Sequence, residues 1–305
     1  MVLDETLLPS KVHYIEVRSL EGAVDVIRTM KTRAFGQFLV VLNTFAVELL
    51  HMGPKTKVEV KHIVAIAEAL NKSRPTFPFA EVTGIIVSAA QGAVHKGLDV
   101  RQVVLKTVEG FQQGIRGRRL GRVKELSETL VNGDRILTHC NVSGELAMAC
   151  AMAQANGKKI HVFATETRPY MQGAKLTVWE LQQAKVPVTL IADSAVGVLM
   201  AEEQINKVII GSDRSAANGD IANKSGSYQI AVLAKEFGIP LIALTQPSKG
   251  VATGEDMPIE QRSGFEVLKY EQRNLFPSGV VGYYPGFDVV PHDLIKKAIA
   301  IHAGL

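Results

Sequence analysis

Apolar side chains recur every three to four positions through the first part of the chain: Ala23, Ile27 and Met30, then Ile63, Ile66, Ala67 and Leu70, then Val104, Val108, Phe111 and Ile115. That spacing stacks them on one face of successive helices. Ahead of them, Val12 to Val17 gathers β-branched and aromatic residues and reads as a short strand. Beyond residue 120 the rhythm changes to short apolar runs at 135–138, 159–163, 187–191, 207–210 and 240–244. Helical patterns separate them, such as Leu146, Ala149, Cys150, Ala153 and Ile230, Leu233, Ala234, Phe237. Runs apolar on both faces, VPVTLI and KVIIG among them, suit parallel strands covered by helices on both sides. The pattern predicts an α/β protein. Residues 1–120 form a smaller, mostly helical N-terminal domain, and residues 121–305 form a Rossmann-like, doubly wound parallel sheet. A length of 305 residues, near the limit of a single core, agrees with two domains.

Composition changes this picture little. A 47% hydrophobic and 21% charged chain is ordinary for a globular protein, and a net charge of +4 suits an anionic small molecule. The densest basic run, Arg116, Arg118, Arg119, Arg122 and Lys124, lacks the interleaved aromatics of a nucleic-acid groove and reads as a solvated helix face. The apolar stretch Phe35 to Leu50 is broken by Gln37, Asn43, Thr44 and Glu48, so it fails as a membrane span. Acidic residues stand where a signal peptide carries basic ones, and two cysteines make no disulfide framework. A soluble, cytoplasmic protein without membrane or nucleic-acid partners is expected.

In an open parallel sheet ligands bind beyond the carboxyl ends of the strands. The segments there are polar: THCNVSG (138–144), ATETRPYMQGAKL (164–176), ADSA (192–195) and GSDRSAANGDIANKSGS (211–227). Cys140 lies between a strand and a helix start, where unpaired N–H groups favour a thiolate, or where it is a buried small hydrophobe, the commoner fate of a free cysteine. His139 reads as a structural hydrogen-bonder and Cys150 as core. Asp213 ends an apolar strand, where low-dielectric walls would make it a general acid or base, or where it caps the next segment. Asn223 and Lys224, followed by small residues before a helix near Tyr228, have the makings of a phosphate site. No HExxH motif or Cys/His cluster suggests a metal, and GxGxxG and Walker A patterns are absent.

The ordered motifs GDRILTHCN, HVFATETRPYMQGAKLTVWEL, GSDRSAANGDIANKSGSY and GEDMPIEQR, with LDETLLPSKVHYIEV and YPGFDVVPHDLI near the ends, resemble the methylthioribose-1-phosphate isomerase family. That family shares its fold with regulatory subunits of initiation factor 2B and with ribose-1,5-bisphosphate isomerase. The resemblance implies Cys140 and Asp213 as the catalytic pair. It also implies substrate contacts from Arg33, Arg74, Gln172, Asn223 and Lys224. Ala34 and Phe35 occupy the phosphate-binding segment, where this chain reads RAFGQFL and the family RGAPAIG. It implies a homodimer, no cofactor, and a phosphosugar substrate in methionine salvage. The reaction would turn a 5-substituted ribose 1-phosphate into the ribulose 1-phosphate. Asp213 would protonate the ring or sugar oxygen, while Cys140 would abstract the C2 proton or stabilise the transition state. Isomerisation of ribose 1,5-bisphosphate and a non-catalytic regulatory role are the alternatives.

Overall fold

The computed structural model describes residues 1–301 apart from Thr76, Pro78, Pro247, Ser248, Lys249, Glu271, Gln272 and Leu275, with the backbone alone of Ala34 and Asn274. By its internal contacts the chain divides into two compact units, Met1–Gly117 and Arg118–Leu305.

In the first unit β1 (Val2–Leu3) pairs antiparallel with β2 (Tyr14–Ile15), so the strand read over 12–17 is two residues long. Helices α1 (Leu20–Arg28), α2 (Ala34–His51), α3 (Val60–Ser73), α4 (Phe79–His95) and α5 (Val100–Thr129) follow, and the division between units falls inside α5. Ser19 caps α1 by accepting the Gly22 N–H at 3.2 Å, and Glu59 and His62 cap α3 reciprocally. α1 stops at Arg28, which leaves Met30 outside the helical phase at φ 53°. Ile27, Leu42, Phe45, Leu49, Ile63, Leu70, Phe79 and Ile86 are fully buried in one core. Two of the polar breaks in α2 are internal bonds: Gln37 Nε2 donates to the Thr32 carbonyl at 2.9 Å and Thr44 Oγ1 to the Val40 carbonyl at 2.7 Å. Among the described residues no helix is long and apolar enough to cross a membrane.

The second unit continues with β3 (Asp134–Thr138), α6 (Glu145–Ala155), β4 (Ile160–Thr165), α7 (Val178–Gln183), β5 (Val188–Ile191), α8 (Val196–Ala201), β6 (Lys207–Gly211), β7 (Arg214–Ser215), β8 (Ile221–Lys224), α9 (Ser227–Glu236) and β9 (Leu241–Thr245). After these come β10 (Gln261–Arg262), β11 (Lys269–Tyr270), β12 (Arg273–Asn274), β13 (Tyr284–Pro285), β14 (Phe287–Val290) and β15 (Lys297–Ala300). Six strands form a sheet in the order β15-β9-β6-β3-β4-β5, with every pairing parallel. Successive side chains leave opposite faces. Ile136, Ile209, Ile242 and Leu244 therefore pack with α6, α7 and the end of α5, while Leu137, Val208, Ile210, Leu241 and Ala243 pack with α8 and α9. Helices cover both faces, as the doubly apolar runs require. A second, antiparallel sheet has the order β14-β8-β7; β10 pairs with β13, and β11 with β12.

The basic run departs from expectation. Arg122 holds the buried Glu145 carboxylate bidentately, Nε to Oε2 at 2.6 Å and Nη2 to Oε1 at 2.7 Å, and Arg119 Nε adds a third bond at 3.0 Å. Arg122 Nη1 also donates to the Thr245 carbonyl at 2.9 Å, so part of that helix face is an internal ion-pair cluster. The carboxylate at the start of α6 supplies a fixed partner that a helix-surface reading does not foresee.

Candidate active site

The chain enters the sheet at β3, builds outward through β4 and β5, and then returns to the other side of β3 with β6. Between β3 and β6 the order reverses, and loops leaving adjacent carboxyl ends there diverge to open a crevice. Cys140 lies two residues beyond β3 and Asp213 two residues beyond β6, so the two flank this switch point on one edge of the sheet. Asp213 donates its backbone N–H to the Ala222 carbonyl at 2.9 Å, which ties it to β8 and thus to Asn223 and Lys224. Its side chain is exposed, contrary to the expectation of low-dielectric walls, because β6 ends at Gly211 and the chain turns out of the sheet into β7.

Cys140 is 9% exposed and sits at φ 64°, in the left-handed region that non-glycine residues avoid. Two threonines hold it there: its N–H donates to Thr167 Oγ1 at 2.9 Å, and its carbonyl accepts from Thr177 Oγ1 at 2.6 Å. Thr167 is itself left-handed, at φ 61°, and its N–H and that of Arg168 donate to the two Asp193 carboxylate oxygens at 2.7 and 2.8 Å. Ser143 and Met171 are left-handed as well. Backbone of this kind persists only where its surroundings over-determine it, and it gathers at functional sites. Gly173 completes the loop, since a Cβ there would lie 1.8 Å from the Thr165 carbonyl oxygen. His139 has the structural role read for it: fully enclosed, it bonds Thr165 Oγ1 through Nδ1 at 2.7 Å and the Ser225 carbonyl through Nε2 at 2.9 Å. Burial pushes its pKa down, so the ring is neutral with the proton on Nε2.

Lys224 is 7% exposed, and its ammonium lies 4.5 Å from the Phe287 ring and 6.0 Å from each of the Tyr170 and Tyr284 rings. Phe287 is its register partner across β8 and β14. Three aromatic faces thus stabilise the cation by cation–π attraction. Arg262 lies over the Tyr170 ring at 5.3 Å, donates to the Tyr170 hydroxyl, and is itself held by Glu260 at 2.9 Å and Glu266 at 2.8 Å. Asn223 is buried, with Nδ2 donating to Ser227 Oγ at 2.8 Å. The expected phosphate cradle before α9 is already filled: Asp288, opposite Asn223 in β14, accepts the Gly226 N–H at 2.6 Å. Burial, partly offset by these N–H groups and by Lys224, raises the Asp288 pKa to about 6.

Among the described residues, Gln172 Oε1, Tyr284 Oη and Asp288 Oδ1 are buried without a hydrogen-bond partner. Native proteins rarely leave such atoms unpaired. Together with the Lys224 ammonium they offer donors and acceptors suited to a polar, hydroxyl-bearing anion. Sequence reasoning missed roles for Tyr170, Tyr284, Phe287 and Asp288; the ATETRPYMQGAKL motif carried the first and the YPGFDVVP motif the other three, without a role.

Arg33, Ala34, Phe35 and Arg74 belong to the helical unit. Arg33 is the N-cap residue of α2, and Ala34 and Phe35 open its first turn, where N–H groups lack intrahelical acceptors. Gly36 is obligatory here, because a Cβ would fall 1.9 Å from Thr32 Oγ1. Arg74 Nη1 donates to Gln37 Oε1 at 2.7 Å and its guanidinium stacks 4.5 Å from Phe77, so Arg33 and Arg74 are both anchored at this helix start.

The fold and this edge define an α/β protein with a parallel sheet whose switch point gathers a strained cysteine, a carboxylate and a ring-enclosed lysine. The chain belongs to the Initiation factor 2 subunit family, whose model it matches over residues 13–301. It is 36% identical over 325 aligned residues to a methylthioribose-1-phosphate isomerase from Desulforudis audaxviator, covering 98% of this chain and 89% of that one. To a 5-deoxyribose 1-phosphate isomerase from Moorella thermoacetica it is 34% identical over 321 residues, with the same coverage of 98% and 89%. The crystal structure of 5-methylthioribose 1-phosphate isomerase from Pyrococcus horikoshii superposes with a TM-score of 0.84 at 27% identity, covering 98% of this chain and 87% of that one. The resemblance read from the motifs therefore extends along the whole chain.

Proposed function

We propose that this chain isomerises a 5-substituted ribose 1-phosphate, carrying 5-methylthio or 5-deoxy, to the corresponding ribulose 1-phosphate. The observation that carries this reading is Cys140 pinned in a left-handed backbone after β3, with Asp213 after the adjacent strand β6 across the switch point. The names of the relatives supply the substrate class. The substrate is a cyclic acetal phosphate, so its ring must open before hydrogen can move from C2 to C1. Asp213 donates the proton that releases the ring oxygen; its exposure lets it exchange that proton with solvent. Cys140, held through its own N–H and carbonyl, presents sulfur to the sugar carbon as base or transition-state stabiliser. Lys224, Asn223 and Gln172 contact sugar and phosphate oxygens. Arg33, Arg74 and the first-turn N–H groups of Ala34 and Phe35 hold the phosphate, which prepays orientation. In this reading the helical residues 1–120 bind substrate, residues 121–305 carry the chemistry, and the protein works in the cytoplasm as a homodimer.

Purified protein incubated separately with 5-methylthioribose 1-phosphate, 5-deoxyribose 1-phosphate and ribose 1,5-bisphosphate is assayed for ketose formation. Turnover of the first two, well above the third, is expected. Ketose from none of them refutes the proposal.

A further inference from the structure

Tyr284 is 5% exposed, and its hydroxyl is one of the buried atoms without a hydrogen-bond partner among the described residues. A tyrosine this deep ordinarily finds an acceptor, because a buried hydroxyl left unmade costs stability. Here the ring is placed with care: β13 pairs with β10, setting Tyr284 opposite Arg262, and the ring packs 6.3 Å from Tyr170 and 6.0 Å from the Lys224 ammonium. The neighbouring tyrosine differs, since the Tyr170 hydroxyl accepts from Arg262. The hydroxyl of Tyr284 acts electrostatically with Tyr170, Glu266 and Arg262 and, more weakly, with Cys140.

We propose that Tyr284 is a further catalytic residue, whose hydroxyl donates a hydrogen bond to the sugar oxygen nearest Cys140 as negative charge develops there. The inference rests on the phosphosugar-isomerase reading. When the C2 proton leaves to Cys140, the C2–H electron pair forms the C1=C2 bond and neutralises the carbon that ring opening left electron-poor; as the resulting enol is protonated at C1 its C2 hydroxyl gives up its proton, and the charge developing on that oxygen is where a fixed donor acts most strongly. A neutral phenol suits the role: burial pushes the Tyr284 pKa up, so the hydroxyl keeps its proton throughout the neutral range. Lys224, with three rings around it and positive charge facing the same space, strengthens the field without supplying the proton.

Tyr284→Phe tests this, because it removes one oxygen and keeps the ring over Lys224. With the best substrate of the wild-type protein, kcat is expected to fall about a hundredfold to a thousandfold with KM changed less than threefold, since one oxyanion donor typically contributes 10²–10³ in kcat. Thermal stability should hold or rise, as no bond within the protein is lost. An unchanged kcat overturns the proposal. A lowered melting temperature, or a variant that does not fold, also overturns it by making the hydroxyl structural. Wild-type protein inactive on every phosphosugar overturns the underlying reading as well, and that comparison precedes the variant.

Discussion

Replacing Cys140 by alanine and by glycine separates what the thiol does from what its backbone costs. At φ 64° an L side chain crowds the following carbonyl, a penalty of about 1–2 kcal/mol that glycine escapes. Glycine gives part of that back through the greater freedom of the unfolded chain, about 0.5–1 kcal/mol. Cys140→Gly should therefore be more stable than Cys140→Ala by roughly 1 kcal/mol, or about 2–4 °C for a unit of this size. Both variants keep the Thr167 and Thr177 bonds, which run to the backbone, so the loop should survive in each. Both should lose at least about 10²-fold in kcat, the lower end for loss of general acid–base help. Differential scanning fluorimetry and the ketose assay on the same preparations read both quantities. An alanine variant as stable as the glycine variant refutes the strain argument, and one with more than about a tenth of wild-type kcat, well short of that acid–base loss, removes the thiol from the chemistry.

Asp213→Asn should lower kcat by about 10²–10⁴-fold while leaving the melting temperature within a degree or so, because an exposed carboxylate contributes little to stability; an equal loss of stability would make it structural. Asp288 binds its proton more tightly folded than unfolded, so the folded state gains relative stability below its ordinary pKa of 3.8 and loses it as pH rises to about 6. That rise is worth up to about 3 kcal/mol, so urea titrations should show wild type losing ground to Asp288→Asn between pH 4 and 6, and parallel profiles would contradict it. Glu145→Gln leaves Arg119 and Arg122 without their shared carboxylate and should destabilise the second unit by about 3–5 kcal/mol, read from urea midpoints; a loss under about 1 kcal/mol would mean that the cluster is solvated.

The parallel strands were legible because burial on both faces writes an unbroken apolar run, whereas their order in the sheet was read only from the structure. Cys140 and Asp213 were legible for the same reason, since each lies two residues past such a run. Met30 and the shortened first strand were misread because composition continues past the point where the backbone turns. The basic run was misread for a different reason: what Arg119 and Arg122 do is decided by Glu145, more than twenty residues away, and charge along a helix does not say where its partner lies.

The aromatic enclosure of Lys224 shows the deeper limit. Tyr170 comes from the loop after β4, while Tyr284 and Phe287 come from short strands more than a hundred residues later whose register is set by pairing with β10 and β8. No period of 2 or 3.6 runs through that segment. What places these rings is the antiparallel return of β14 along β8, and that same return delivers Asp288 to the start of α9. A carboxylate there takes the N–H groups that a phosphate would otherwise use. In the proposed function Lys224 would therefore meet the substrate as a cation among rings rather than as part of a helix-terminus cradle. In that reading the orphaned Tyr284 hydroxyl and Gln172 amide oxygen, with the Lys224 charge, favour a polyhydroxylated phosphate over inorganic phosphate.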